Sequence, residues 1–206
     1  MPAILIDGDA IAAEMLVALR PDVERLTAAG RQPHLVAIRA NADPGTGWYA
    51  KAQAEHCAAH GIRHTVDDLG PDADEAKILA SIRKWNDDPA VSAILLFMPL
   101  PKGVDSLKLT SAIRPEKDAE GVHPVNLGTL LATGKADPAP CTAMSAVELL
   151  KRVKPELNGA RALVARQLLD VAERLIDGAT PGVGLVGKAV ALDDGLVSSR
   201  LLVLRL

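Results

Sequence analysis

Short apolar runs alternate with longer stretches of helical period over the first 153 residues, and this alternation restricts the chain to one class of architecture. "AILI" (3–6) reads as a strand leading into a helix through "AIAAEMLVALRPDVERLTAAG" (10–30), which Gly30 stops. "HLVAIRA" (34–40) is a second β-rich run; after the turn "NADPG", Thr46 is placed to cap a helix ending near Gly61. "IRHTVDD" (62–68) reads as a third strand and 73–86 as a third helix. "AVSAILLFMP" (90–99) is almost continuously apolar, which predicts a central parallel strand covered on both faces. Strand–helix alternation with right-handed crossovers gives an α/β fold, a three-layer sandwich around a mainly parallel sheet.

Pro155, Asn158 and Gly159 punctuate a boundary near residue 155. Two parts are expected: a large α/β domain over 1–155 and a reduced C-terminal α/β lobe over 156–206. In the smaller part, 160–177 has amphipathic helical spacing with Gly178 at its stop. A strand is expected at 184–192 and an apolar segment at 196–206.

Composition removes several function classes. Aromatic residues are only 2%, too few for a base-stacking surface, and the net charge of −3 is wrong for a phosphate backbone, so no nucleic-acid partner is expected. Cys57 and Cys141 cannot build a disulfide framework or a four-cysteine metal site, and no metal is expected. The apolar runs are too short to span a bilayer, and the N-terminus lacks a basic stretch before its apolar residues. A cytoplasmic, soluble chain without a membrane partner is the expectation.

Ligands of open α/β sheets sit beyond the carboxyl ends of the strands. Three loops are expected at such ends: "NADPGTGWYAKAQ" (41–53), "FMPLPKGVD" (97–105) and "IRPEKDAEGVHPVNLG" (113–128). A fourth, "PAPCTAMSAVELL" (138–150), opens the last helix before the boundary. Singly, each has a structural reading as a strand stop, a solvated turn, or a helix start capped by Thr142 or Ser145. Together, four stiff Pro- or Gly-bearing loops on one sheet edge describe a binding cleft.

"IDGDAIA", "DPGTGWY", "MPLPKGVD", "RPEKDAEGVHPVNLG" and "PCTAMSAVELL" occur in the order, and near the spacing, of the bifunctional methylenetetrahydrofolate dehydrogenase/cyclohydrolase family, which residues 3–153 resemble. The resemblance implies a two-lobed clamp with folate in the cleft, oxidation of methylenetetrahydrofolate with NADP or NAD, hydrolysis of the methenyl product to formyltetrahydrofolate, and a homodimer. Residues 1–155 would be the folate-binding catalytic-type domain and 156–206 a short remnant of the nucleotide-binding lobe.

Carried over residue by residue, the resemblance makes Tyr49 similar to the tyrosine that stacks on the folate. The family's key lysine, four residues later, falls on Gln53. The family's glutamine before "PLP" falls on Phe97, and its acidic pterin ligand on Glu120. Pro99, Leu100, Pro101, Cys141 and Thr142 complete the implied substrate-binding set. The later Pro and Gly of the family's "PCTP-x-G" are Ala143 and Ser145. Glu for Asp keeps two acceptor oxygens, each able to contribute on the order of 1.5–3 kcal/mol in a charge-assisted bond. Gln for Lys is a change in kind, because an amide is neither a general acid nor a general base. Lysine and glutamine have vanished together, consistent with a coordinated loss of cyclohydrolase machinery.

Substitutes are few. Lys51 points away from position 53 on a helix, whereas His56, three residues on, lies near the same face and titrates near neutrality. The catalytic candidates are therefore Gln53, Tyr49, Glu120 and His56. Lys102 reads first as a solvated loop residue, Cys141 as a residue packed beside the pocket, and His123 as a loop organiser.

"TPGVGLVGK" (180–188) has the glycine spacing of a dinucleotide loop but follows a helix end and precedes "KAVAL", which reads as β. The fingerprint needs a strand before it and a helix after it. It is closer to a worn form of the family's "TPVPGGVGP" loop, and the family's "GRS-x-x-VG-x-P" nucleotide signature is absent. A βαβαβ nucleotide half does not fit in the last 49 residues, so NADP is not expected to bind there. Three readings stand: a folate-dependent one-carbon enzyme of altered, non-redox chemistry, which is favoured; an ordinary NADP-dependent dehydrogenase/cyclohydrolase; and a non-catalytic relative that binds folate or a partner, with "LVSSRLLVLRL" as interface.

Overall fold

A computed structural model describes residues 6–135, 137–156, 162–164, 190–192 and 195–197. Helix α1 (Gly8–Ala28) starts where Asp7 Oδ1 accepts from Ala10 N–H at 3.0 Å, and the chain turns at Gly30 with φ of 73°. There follow β1 (His34–Arg39), α2 (Pro44–Ala59), β2 (Arg63–Asp68), α3 (Glu75–Asp87), β3 (Ala93–Leu96) and α4 (Ser106–Ala112). A 3-10 turn, Pro115–Lys117, leads to α5 (Pro124–Thr133) and α6 (Cys141–Val153). Of the expected strand 3–6, residues 3–5 lie outside the described residues, and residue 6 is not in a strand.

The cap of α2 differs from the expectation. Asp43, not Thr46, is the N-cap, and its Oδ1 accepts from Thr46 N–H at 3.0 Å. Asp is a stronger cap than Thr, and Pro44 takes the first helical position, where its missing N–H does no harm. Thr46 then turns its hydroxyl to Asn41, which matters for the site below.

The first sheet is parallel, in the order β2-β1-β3. The central strand is thus β1, and the apolar run around 90–99 supplies an edge strand of the described sheet only four residues long. Its apolarity still reflects cover on both faces, by Ile78 and Ile82 on one side and Ala50 on the other. Asp118 makes an isolated parallel bridge to Ile94, covering the open edge, while Phe97 and Met98 turn to line a cavity.

Alternation along the strands separates two apolar layers. Val36, Ile38, Ile94 and Leu96 pack with Ile78 and Ile82 of α3 and Leu109 of α4. Ala37, Leu95 and Phe97 face the other way and pack with Ala50 of α2. Ile38, Ile78, Ile82 and Leu109 are fully buried. Each such side chain contributes about 1.5–3 kcal/mol by leaving water. The result is the α/β/α sandwich with a parallel sheet that the sequence predicts.

Lys117 fastens the segment beyond α4. Its Nζ donates to the carbonyls of Trp85, Asn86 and Asp88 at 3.1, 2.8 and 2.7 Å, satisfying acceptors at the C-terminal end of α3.

The chain divides into two compact units, one of Ala13–Met144 and one of Met1–Ala12 with Ser145–Arg205. In the second, β4 (Ala162–Val164), β5 (Val190–Leu192) and β6 (Gly195–Val197) form an antiparallel sheet in that order. The helix expected at 160–177 is therefore corrected at 162–164, where ladder pairing with Val190–Leu192 overrides helical spacing. The rest of that helix, most of the strand expected at 184–192 and the "TPGVGLVGK" loop lie outside the described residues.

Candidate functional site

A cavity of ≈ 400 Å³ opens in the larger unit, where the start of α2 meets the carboxyl end of β3. Asp43, Thr46, Tyr49, Phe97, Met98 and Glu120 line it. This is where the topology of a parallel sheet leaves a crevice.

Asn41 ties two walls together. Its Nδ2 donates to the carbonyl of Pro99 at 2.8 Å, and its Oδ1 accepts from the Thr46 hydroxyl at 2.6 Å and from Asp43 N–H at 3.1 Å. Both Asn41 and Thr46 are buried, so these bonds hold the α2 start against the turn after β3.

The third wall hangs on Asp118. This buried carboxylate accepts from the backbone N–H groups of Glu120, Gly121 and His123 at 3.1, 3.1 and 2.8 Å, and from Asn126 Nδ2 at 3.0 Å. His123, expected as a loop organiser, caps α5: its Nδ1 accepts from Val125 N–H at 3.0 Å, leaving Nε2 to donate to the Ser111 carbonyl at 3.2 Å. "KDAEGVHPVN" is thus a folded clamp whose output is the position of Glu120.

Glu120 and Tyr49 carry the electrostatics of the cavity. Burial, reinforced by the Asp118 carboxylate, raises the Glu120 carboxyl above the usual carboxylate range. Burial raises the Tyr49 phenol as well, with Glu120 adding to the effect. The Tyr49 ring stands edge-on to Phe97, with centroids 5.7 Å apart and planes at 77°. Such a pair contributes about 0.5–1.5 kcal/mol beyond its area and sets the phenol ring as a wall. The cavity therefore presents an aromatic surface and a proton-sharing carboxyl, suited to a planar heterocycle with N–H donors.

The structure brings Tyr49, Phe97 and Glu120 together around the cavity. Cys141 lies alongside: its Sγ donates to the Ala119 carbonyl at 3.3 Å, and its N–H to the Glu120 carbonyl at 3.1 Å. Cys141 begins α6, so Thr142, which is exposed, sits in the first turn and neither it nor Ser145 is the cap. Pro99 is exposed, Pro101 is half-buried, and Leu100 packs against the α3–α4 core; none of the three lines the cavity. Their part is to carry the chain away from Met98, with the Pro99 carbonyl held by Asn41.

His56 is exposed in the last turn of α2 and outside the lining, because the buried face of that helix runs through Thr46, Ala50, Gln53 and Cys57. Lys51 is exposed and pairs at 4.0 Å with Glu55. Gln53 is buried, yet outside the lining: its Oε1 accepts from Nε2 of His64 on β2 at 3.0 Å. His64 is a residue that sequence reasoning missed. The available signal was the α2–β2 crossover, which packs a helix over the next strand. Among the described residues no group of three or more His, Cys, Asp and Glu is placed to hold a metal ion. No helix there is long and apolar enough to cross a membrane.

Comparison with known proteins places this geometry. Residues 6–120 match the sequence profile of the family described as "Tetrahydrofolate dehydrogenase/cyclohydrolase, catalytic domain". The chain is similar to the "Bifunctional protein FolD" of Cupriavidus taiwanensis, at 38% identity over 80% of this chain and 58% of that protein. The protein of the same name from Cupriavidus necator is 39% identical over the same shares. This chain thus spans well under two thirds of the length of these relatives. Among solved structures, the FolD enzyme of Campylobacter jejuni superposes with a TM-score of 0.70 at 30% identity, over 75% of this chain and 55% of that one. The Trypanosoma brucei dehydrogenase-cyclohydrolase, "complexed with NADP cofactor and inhibitor", gives 0.69 at 31% identity, over 76% and 54%.

Proposed function

Because the chain belongs to the tetrahydrofolate dehydrogenase/cyclohydrolase family, we propose that its cavity binds a reduced folate carrying a one-carbon unit and acts on it without redox chemistry. The observation that carries this reading is the cavity itself: Tyr49 and Phe97 on one wall, Glu120 on another, and glutamine rather than lysine one helical turn beyond Tyr49. The pterin ring would lie against Tyr49, with its N–H groups donating to Glu120. Phe97 makes the reacting end apolar, and Gln53 can hydrogen-bond but cannot relay a proton. Residues 1–155 would form the folate-binding domain and 156–206 a short part of the nucleotide-binding lobe. A cytoplasmic homodimer is the assembly this reading carries with it.

A second reading is the full activity of the relatives, methylenetetrahydrofolate dehydrogenase with methenyltetrahydrofolate cyclohydrolase. It draws on the names of those relatives and on the NADP bound to the trypanosomal protein. A third, a folate- or partner-binding protein without catalysis, draws on Gln53 and Phe97 alone.

Calorimetric titration with tetrahydrofolate, with and without NADP, separates them. Binding that is indifferent to NADP supports the first reading. Binding strengthened by NADP moves the dehydrogenase to first place. No folate binding leaves the fold without its family ligand and overturns the folate reading.

A further inference from the structure

Asn41 stands between β1 and α2 and is buried. It does not itself line the cavity, but its side-chain bonds end on residues that do, or on the next residue along. Oδ1 accepts from the Asp43 N–H at 3.1 Å and from the Thr46 hydroxyl at 2.6 Å, and both residues are part of the lining. Nδ2 donates at 2.8 Å to the carbonyl of Pro99, which directly follows the lining residues Phe97 and Met98. The Thr46 hydroxyl also lies 2.8 Å from the Asp43 carbonyl, so Asn41 and the first turn of α2 share it.

The partners fix which way the amide faces. A backbone N–H can only donate and a carbonyl can only accept, so exchanging the oxygen and nitrogen of Asn41 would break both contacts. The walls joined in this way carry the two rings of the site, Tyr49 on α2 and Phe97 after β3. Apolar packing of Ala50 with Ala37, Leu95 and Phe97 also holds these walls together. Such packing has no direction, however, and limits how close the walls come rather than how they are offset. The hydrogen bonds of Asn41 have direction, and they set the offset.

We propose that Asn41 is a positioning residue of the folate site: it holds the start of α2 and the turn after β3 at their ligand-bound spacing before the ligand arrives. This inference rests on the folate reading above. It adds that the slot is built in advance, so that little binding energy goes into closing it. A slot of fixed width fits a rigid, flat heterocycle, which enters without rearrangement.

Asn41→Asp tests this, because the variant keeps the acceptor oxygen and exchanges the NH2 for a second oxygen. Ionised, that oxygen repels the Pro99 carbonyl; protonated, it donates to it. Burial raises the introduced carboxyl above the ordinary aspartate range, which brings its titration toward neutrality. Calorimetric titration of the folded variant with tetrahydrofolate should show affinity about tenfold below wild type at pH 7.5 and within about threefold of it at pH 5. Arg39, whose Nε donates to the Asn41 carbonyl at 3.1 Å, Asp43 and the cavity carboxyl Glu120 are the charged groups around this position. All three are present in both proteins, so the ratio of affinities isolates the introduced carboxyl. A residue that serves only the fold would leave the folded variant with wild-type affinity. That result, or a ratio that does not change between the two pH values, overturns the proposal. Should Asn41→Asp fail to fold, hydrogen exchange of the wild-type Asp43 amide decides the point. Its protection should agree within about twofold with and without tetrahydrofolate, and protection that arises only with the ligand overturns the built-in spacing. A wild-type chain that does not bind tetrahydrofolate overturns the folate reading and this inference with it.

Discussion

At Glu120 one proton answers to two opposing demands. Burial and the Asp118 carboxylate hold the carboxyl above its ordinary range, so the cavity disfavours the ionised form. A pterin that donates N–H groups favours the ionised form, since charge-assisted bonds contribute about twice as much as neutral ones. Glu120→Gln should therefore stabilise the unliganded protein at neutral pH while weakening tetrahydrofolate binding by about tenfold or more. Wild-type binding should strengthen as pH rises through the raised pKa, and the glutamine variant should lose that dependence; titrations between pH 5 and 8 read both. Position 53 gives the complementary test. A lysine there would gain charge, but Phe97, at the position the resemblance gives to a glutamine, offers it no acceptor. Gln53→Lys alone should leave formyltetrahydrofolate production from methenyltetrahydrofolate at background, and adding Phe97→Gln should be required for any rise. Robust turnover by the single variant would show that position 53 alone had silenced the hydrolysis.

Between the 3-10 turn and α5, the six residues 118–123 do the work of a rigid element without being one. Gly121 adopts φ of 67°, and a Cβ there would sit 2.2 Å from the carbonyl carbon of Ala139. The backbone before Cys141 thus packs directly on this glycine, and Cys141 N–H reaches the Glu120 carbonyl. Gly121→Ala should lower stability by at least about 2 kcal/mol, from the left-handed conformation plus a collision with main chain that has no rotamer to move. Urea midpoints measure this, and an unchanged midpoint would mean that the segment after Ala139 is not held. Much of this was legible in the sequence. Periodicity located β1 to β3, α2 and α3 within a few residues, because the strands are covered by apolar layers and the helices pack against them. Short polar cues were harder: Asp43 outcompeted Thr46 as cap, and ladder pairing at 162–164 overrode an amphipathic spacing. Motif order marked Tyr49, Phe97 and Glu120 because all three stand at or near the carboxyl edge of one sheet. The Gln53–His64 bond left no motif, since it joins two ordinary-looking residues across a crossover.

For the molecule as a whole, acidification strikes both layers of the sandwich at once. His34 lies on the α3 side, its ring edge-on to Trp85 at 6.3 Å, with Nε2 against the Thr65 hydroxyl at 2.8 Å and no partner for buried Nδ1 among the described residues. His64 lies on the α2 side with Gln53. Burial holds both below the usual histidine range; Arg63 adds to the effect at His34, and His34 itself adds at His64. The unfolded chain therefore takes up protons first as pH falls through about 6.5, and folding stability declines from there down to the folded pKa values. Glu120 works in the opposite sense. Its raised pKa means that the folded state holds a proton longer than the unfolded one, so its contribution is complete below about 4.5 and is lost as pH rises through the folded value. The histidine and carboxyl slopes overlap between these limits and partly cancel in the wild type. Removing one should expose the other. Urea midpoints from pH 7.5 to pH 5 should fall more steeply for Glu120→Gln than for wild type, and less steeply for a His34→Gln, His64→Gln pair. Parallel profiles for all three would mean that neither the cavity carboxyl nor the two histidines change protonation between the folded and unfolded chain, and the electrostatic account of the site would fall with them.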